Sequence, residues 1–151
     1  MSAAIKDQLF KFCEAHVNMR IQRLTKQLEE LKTSLGSETK SSAGDKHETG
    51  RAMVQLEQEK MGKQLHEAEL LYKVLQQVPK DSKPGKIALG SLVTTDKHCY
   101  YIAVSAGKYE NDGKTVYCIS ANTPIGKLLL GKQEGDEFLF NGVRQRILEL
   151  G

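Results

Sequence analysis

Two carboxylates three residues apart, Asp45 and Glu48, stand in a short polar stretch from Ser41 to Arg51 that also carries Lys46, His47 and Arg51. Acids at this spacing near a helix start can point the same way, and two carboxylates facing one way can share a hard cation such as Mg2+. Alone they would hold it poorly, because the ion needs several more oxygen ligands. Carried into a site that already holds phosphates and acids, they could secure a metal and orient a water. His47 could act as a general base or a ligand; Lys46 and Arg51 suit phosphate contact or offset the acids. The same pair also fits a structural role. An N-cap acid with Glu at the third helical position resembles a capping box, worth about 1 kcal/mol to the helix that follows. Spacing alone leaves both readings open.

The flanking segments show what would position this stretch. Phe10, Cys13, Val17, Ile21, Leu24, Leu28, Leu31 and Leu35 recur at intervals of three and four residues, a coiled-coil seam. Beyond the polar stretch, Val54, Gln58, Met61, Leu65, Ala68, Tyr72 and Leu75 continue a second seam, interrupted by polar Gln58 and neighboured by Gly62. Pro79 ends it. Two seams of similar length, with the breakers Gly36 and Gly44 between them, predict an antiparallel hairpin over 1–78 with its tip at 41–51. Arms of about 30 residues would each extend about 45 Å. A finger of that length buries only its seam, so reach, more than stability, explains it. Arg20, Arg23 and Lys26 could form a basic stripe along the first arm that meets RNA, or a solvated face pairing with Glu29 and Glu30.

Composition narrows the function classes. The chain has 151 residues, enough for one ordinary or two small domains. It is 39% hydrophobic and lacks Trp, which is lean for a core and fits an elongated part. The net charge of +3 divides into +1 over residues 1–78 and +2 over 79–151, so no dense basic block demands free nucleic acid as a partner. Cys13, Cys99 and Cys118 form neither a CxxC pair nor a disulfide framework and read as buried small hydrophobes in a reducing compartment. No run approaches a membrane span and the N-terminus lacks a signal-peptide pattern, so a cytoplasmic protein without membrane contact is expected.

A proline-bracketed linker over 79–86 precedes a change of pattern. Ile87–Thr95, Cys99–Ser105, Thr115–Ser120, Glu137–Phe140 and Val143–Leu150 read as strands, and Tyr109–Gly113 as a loop. Asn141-Gly142 predicts a type I′ hairpin. Thr123 and Pro124 suit the N-cap and first position of a short helix that Gly131 stops. Residues 87–151 thus form a compact β-rich domain of about five strands and one helix. It shows no nucleophile–base pair or metal spacing, and its His98 sits at a turn.

The run from Ile119 to Lys132, Ile-Ser-Ala-Asn-Thr-Pro-Ile-Gly-Lys-Leu-Leu-Leu-Gly-Lys, followed by Gly135-Asp136, resembles the C-terminal signature of the Gre family of bacterial transcript cleavage factors. Gly90-Ser91-Leu92-Val93 resembles that family's opening strand, and Gly44-Asp45-Lys46-His47-Glu48-Thr49 keeps both acids of its tip at their spacing. The resemblance implies an α+β protein, an N-terminal antiparallel coiled-coil hairpin followed by a small FKBP-like domain. It implies RNA polymerase as partner, engaged near the secondary channel through Asn122, Thr123 and Pro124. Asp45 and Glu48 would help hold a catalytic Mg2+ shared with the polymerase, beside the 3′ end of the nascent RNA. Such a protein is no enzyme itself: it is a monomeric factor that stimulates the polymerase's own cleavage of backtracked RNA and keeps no cofactor stably bound.

Lys46-His47 replace Leu-Ser of the family tip, Arg51 replaces an acid, and Asn122 stands where an acid often sits. These differences keep a second function in view, a secondary-channel regulator that does not cut. A prolyl isomerase is a third reading, disfavoured by the missing Trp, and a plain coiled-coil assembly protein is a fourth.

Overall fold

The computed structural model describes residues 2–39, 44–79 and 85–151, and the side chains of 4–33, 50–79 and 85–151 among them. Two long helices form a hairpin, α1 (Ser2–Thr39) and α2 (Gly44–Gln77), and a six-stranded sheet with one short helix follows. The α+β class and the order of its parts are as expected. Gly36 does not break the first arm: α1 runs through it to Thr39. A single interior Gly costs only about 1 kcal/mol, which does not by itself end a helix of 38 residues.

Burial along the arms follows the two seams. Val17, Leu24 and Ala68 are buried and Ile21, Leu28, Leu31, Val54, Met61 and Leu65 half-buried, while the residues between them are largely exposed. Gln58 is half-buried in the second seam, as its spacing required. Two helices alone offer each seam residue a single partner face, so the arms cover their stripe incompletely.

The chain divides into two compact units, Val17–Tyr72 and a unit joining Met1–His16 with Lys73–Gly151. In the second, the strands are β1 (Leu92–Thr95), β2 (Cys99–Ala103), β3 (Gly107–Asn111), β4 (Lys114–Ser120), β5 (Glu137–Phe140) and β6 (Val143–Leu150), with α3 (Pro124–Leu129) between β4 and β5. They lie in the order β3-β4-β2-β1-β6-β5. Only β2 and β4 pair in parallel among the strand pairs, with Tyr100 opposite Tyr117 and Ile102 opposite Ile119.

Both faces of this sheet are covered. Strand residues alternate sides, so Tyr100, Ile102 and Ile147 pack with Ile125 and Leu129 of α3. On the other face, Cys118 hydrogen-bonds to Cys13 of α1, and Tyr101 lies close to both thiols. That hydrogen bond, then burial, pushes the Cys118 thiol up. Tyr109 adds an edge-on ring contact to Phe12, centroids 5.2 Å apart, and its hydroxyl donates to Gln8 Oε1 at 3.0 Å. Hence β2, in the middle, is buried on both sides, a continuous apolar run instead of an alternating one.

Two sequence expectations need correction here. Tyr109–Gly113 is no simple loop: Gly107–Asn111 is a sixth strand, and only Asp112-Gly113 turns, with φ of 51° and 76°. Its residues are polar and mostly exposed because it is an edge strand, so periodicity gave no signal. The first strand is also shorter than Ile87–Thr95. Gly90 has φ of 91° and lies against the Pro79 carbonyl, so a turn occupies Ala88–Ser91 and pairing starts at Leu92. Of the expected linker, residues 80–84 lie outside the described residues.

Candidate functional site

The expected tip is partly visible. Residues 41–43 lie outside the described residues, whereas α2 begins at Gly44. Asp45 therefore falls inside the first turn and not at the cap position before it. Glu48 follows three residues on in the same helix. Acids there are favoured by the partial positive charge of the helix N-terminus. The side chains of Asp45, Lys46, His47 and Glu48 lie outside the described residues. Arg51, one turn further, is exposed.

The basic stripe takes a clearer form. Arg20 is half-buried and Arg23 and Lys26 exposed, and among the described residues no ion pair joins any of them to Glu29 or Glu30. No group of three or more His, Cys, Asp or Glu side chains converges to hold a metal among the described residues. A hard cation such as Mg2+ takes one or two protein carboxylates, so Asp45 and Glu48 fit it by type and number, provided the remaining ligands come from outside the chain.

The Asn122–Pro124 turn is fully described. Thr123 is the N-cap of α3, with Oγ1 accepting from the Gly126 N–H at 3.1 Å and donating to the Ser120 carbonyl at 2.7 Å. Pro124 fills a first-turn position where no N–H is needed. The Asn122 N–H donates to Ser120 Oγ at 3.3 Å, which holds the turn from its other side. Asn122 and Pro124 are exposed, so a rigid backbone presents them outward. Gly126 is buried, and a Cβ there would collide with the Ser120 carbonyl. The glycine is therefore a condition of the turn.

Beside this turn the sheet opens into a cleft of about 310 Å³, lined by His98, Tyr100, Tyr117, Phe140 and Gln145, and by Ile119 and Ile125, the residues on either side of the turn. The rings of Tyr100 and Tyr117 lie 6.1 Å apart at 36°, and His98 stands edge-on to Tyr117 at 5.4 Å. Gln145 is 2% exposed, a buried amide on a wall that is mostly aromatic and aliphatic. Its Oε1 accepts from the Tyr100 hydroxyl at 3.1 Å and from Thr95 Oγ1 at 2.8 Å. Thr95 Oγ1 already accepts the N–H groups of Lys97 and His98, so its own proton is free to point at Gln145 or the His98 carbonyl. The Gln145 Nε2 has no hydrogen-bond partner among the described residues. Burial raises the Tyr100 hydroxyl above its ordinary value, against the lowering effect of Gln145.

Sequence reading missed this cleft. The usable signal was alternation along Cys99–Ser105 and Thr115–Ser120, which puts Tyr100 and Tyr117 on the α3 face, but pairing them required the parallel register. Of the thiols, Cys13 and Cys118 are buried as expected, whereas Cys99 is half-exposed beside Thr94 Oγ1.

No family model matches the chain, and no curated protein does. Among solved structures, "Structure of the transcription factor Gfh1" aligns at a TM-score of 0.34 and 22% identity, over 87% of this chain and 92% of that one. "Prokaryotic transcription elongation factor GreA/GreB from Nitrosomonas europaea" aligns at a TM-score of 0.33 and 19% identity, over 87% and 92%. Likeness at this level assigns no function. No described helix is long and apolar enough to cross a membrane.

Proposed function

We propose that this chain is a transcription elongation factor that binds RNA polymerase and stimulates cleavage of backtracked RNA in the polymerase's own active site. The observation that carries this reading is the acid pair Asp45 and Glu48 among the first five residues of α2, a helix of 34 residues, about 51 Å long. Two carboxylates are too few ligands to hold a hard cation alone, and length of this kind suits delivery into a site belonging to another molecule.

In this reading the exposed Asn122–Pro124 turn docks on the polymerase near the secondary channel. The hairpin then carries Asp45 and Glu48 to the 3′ end of the nascent RNA, where they complete the ligand set of a shared Mg2+. Held there, such an ion would supply Lewis-acid activation of an attacking water. Asp45 and Glu48 would hold it and orient the water, while Lys46, Arg51, Arg20 and Arg23 would meet phosphates. The chain performs no bond breaking itself.

The test is a purified backtracked elongation complex with Mg2+, to which the wild-type protein is added. Release of short 3′ RNA fragments is expected, with loss of release in the Asp45→Ala/Glu48→Ala variant. Equal release by wild type and variant removes the proposed tip role. The bases around the pair, Lys46, His47 and Arg51, favour a second reading, a channel-binding regulator that does not cut. Polymerase binding with altered pausing or initiation and no released RNA would select it.

A further inference from the structure

The aromatic cleft does not stand alone. A second cleft of about 470 Å³ adjoins it, and His98 and Tyr117 line both. Three lysines border the second cleft, Lys97, Lys108 and Lys114. Topology brings them together. Because β2 and β4 run parallel, they start at the same end of the sheet. Lys97 lies in the turn before β2, Lys114 opens β4, and Lys108 sits on β3 opposite Tyr117.

This charge is poorly compensated. Lys97 and Lys114 make no ion pair among the described residues, and Lys108 approaches Glu110 only at 4.0 Å with both side chains more than half exposed. Asp96 is the one carboxylate lining this cleft, and its Oδ1 is engaged by the Arg146 N–H at 2.9 Å. Glu110 and Asp112 border a different cleft, past Gly113 and Thr115.

We propose that the two joined clefts bind a free nucleoside polyphosphate, its base in the aromatic cleft and its phosphates on Lys97, Lys108 and Lys114. A flat base matches the Tyr100 and Tyr117 rings, since stacking on aromatic side chains is available to every base. Every base also carries ring-edge acceptors, which the unpartnered Gln145 Nε2–H group needs. The polyphosphate supplies the anion that three lysines favour. An apolar peptide would leave the lysines unused. A nucleic-acid strand continuing past the lysines would run its phosphates against Glu110 and Asp112. The aromatic cleft alone lies at the lower end of the ~300–1,000 Å³ common for small-molecule sites. This inference does not rest on the proposed function.

Calorimetric titration of the full chain at low salt tests it, with ATP, GTP, CTP and UTP as probes against tripolyphosphate, the matching nucleosides and a short RNA oligomer. At least one triphosphate is expected to bind at least about tenfold more tightly than both tripolyphosphate and its own nucleoside, because joining two contacts makes the second intramolecular. Lys97→Ala/Lys114→Ala, at exposed positions, should weaken that triphosphate by about tenfold or more and leave the nucleoside unchanged. Val143→Trp, at a half-exposed position lining the aromatic cleft, should weaken triphosphate and nucleoside and leave tripolyphosphate unchanged. Unchanged melting of each variant shows that the fold is kept. The proposal is overturned if no triphosphate binds, if tripolyphosphate binds as tightly, or if only the RNA oligomer binds.

Discussion

The helical arms and the sheet unit solve the same problem of placing side chains in opposite ways. Within Val17–Tyr72, burial is confined to a stripe, and only Val17, Leu24 and Ala68 are buried among the described residues. In the sheet unit a strand such as β2 is covered from both sides, and turns are tied down by side chains such as Thr123 Oγ1 and Ser120 Oγ. The arms carry their proposed chemistry in residue type and position along a helix. The sheet unit carries its own in fixed geometry. Substitutions should therefore cost stability in the sheet unit and, at the tip, activity without stability.

The largest stability effect is expected at Gly126. A side chain there meets the Ser120 backbone carbonyl, which cannot move without breaking the Thr123 cap. Gly126→Val should destabilise the sheet unit by about 3 kcal/mol or more in denaturant unfolding; a near-neutral result would show that the turn is not rigid. Next come paired leucines. Leu129→Ala, at a fully buried α3 position, should cost about 2–5 kcal/mol. Leu28→Ala, on the half-buried arm seam, should cost about 1 kcal/mol or less. Equal costs would erase the contrast between the regions.

How much of this was legible in the sequence follows the same divide. The seams of both helices could be read from residue spacing because a two-helix layer has one period and one buried stripe. The Thr123-Pro124 start and Gly131 stop of α3 were readable because caps are local chemistry. Strand β3 was not, since an exposed edge strand has no apolar face to betray it. Nor was the Gln145 cleft, because Tyr100 and Gln145 are 45 residues apart and meet only through the strand order β2-β1-β6. The acid pair was legible as residues and spacing, and its proposed role depends on a site the chain does not contain.

A smaller effect should appear at high pH. Burial raises both Tyr100 and Tyr101 above the ordinary phenol value of 10.0, so the folded state holds these protons more tightly than the unfolded chain. Their contribution to stability is complete below pH 10.0 and is lost as pH rises through the raised folded values. Unfolding curves measured upward from that pH should show the sheet unit weakening, and Tyr101→Phe should flatten the fall. A slope unchanged in this variant would place the titration elsewhere. Comparable in size to Leu28→Ala, Thr123→Ala should cost about 1 kcal/mol through loss of the α3 cap. It should also weaken polymerase binding if the turn docks there, measured as competition between variant and wild type.

The central claim is that Asp45 and Glu48 act inside another molecule's active site. Its most direct test is single-turnover cleavage of a backtracked complex by wild type and by Asp45→Asn/Glu48→Gln, a variant that keeps shape and removes charge, with polymerase occupancy measured in the same reactions. The account predicts RNA release by wild type, and at least about a hundredfold slower release by the variant at equal occupancy. Equal rates for the two proteins, or no release by wild type at full occupancy, would contradict it.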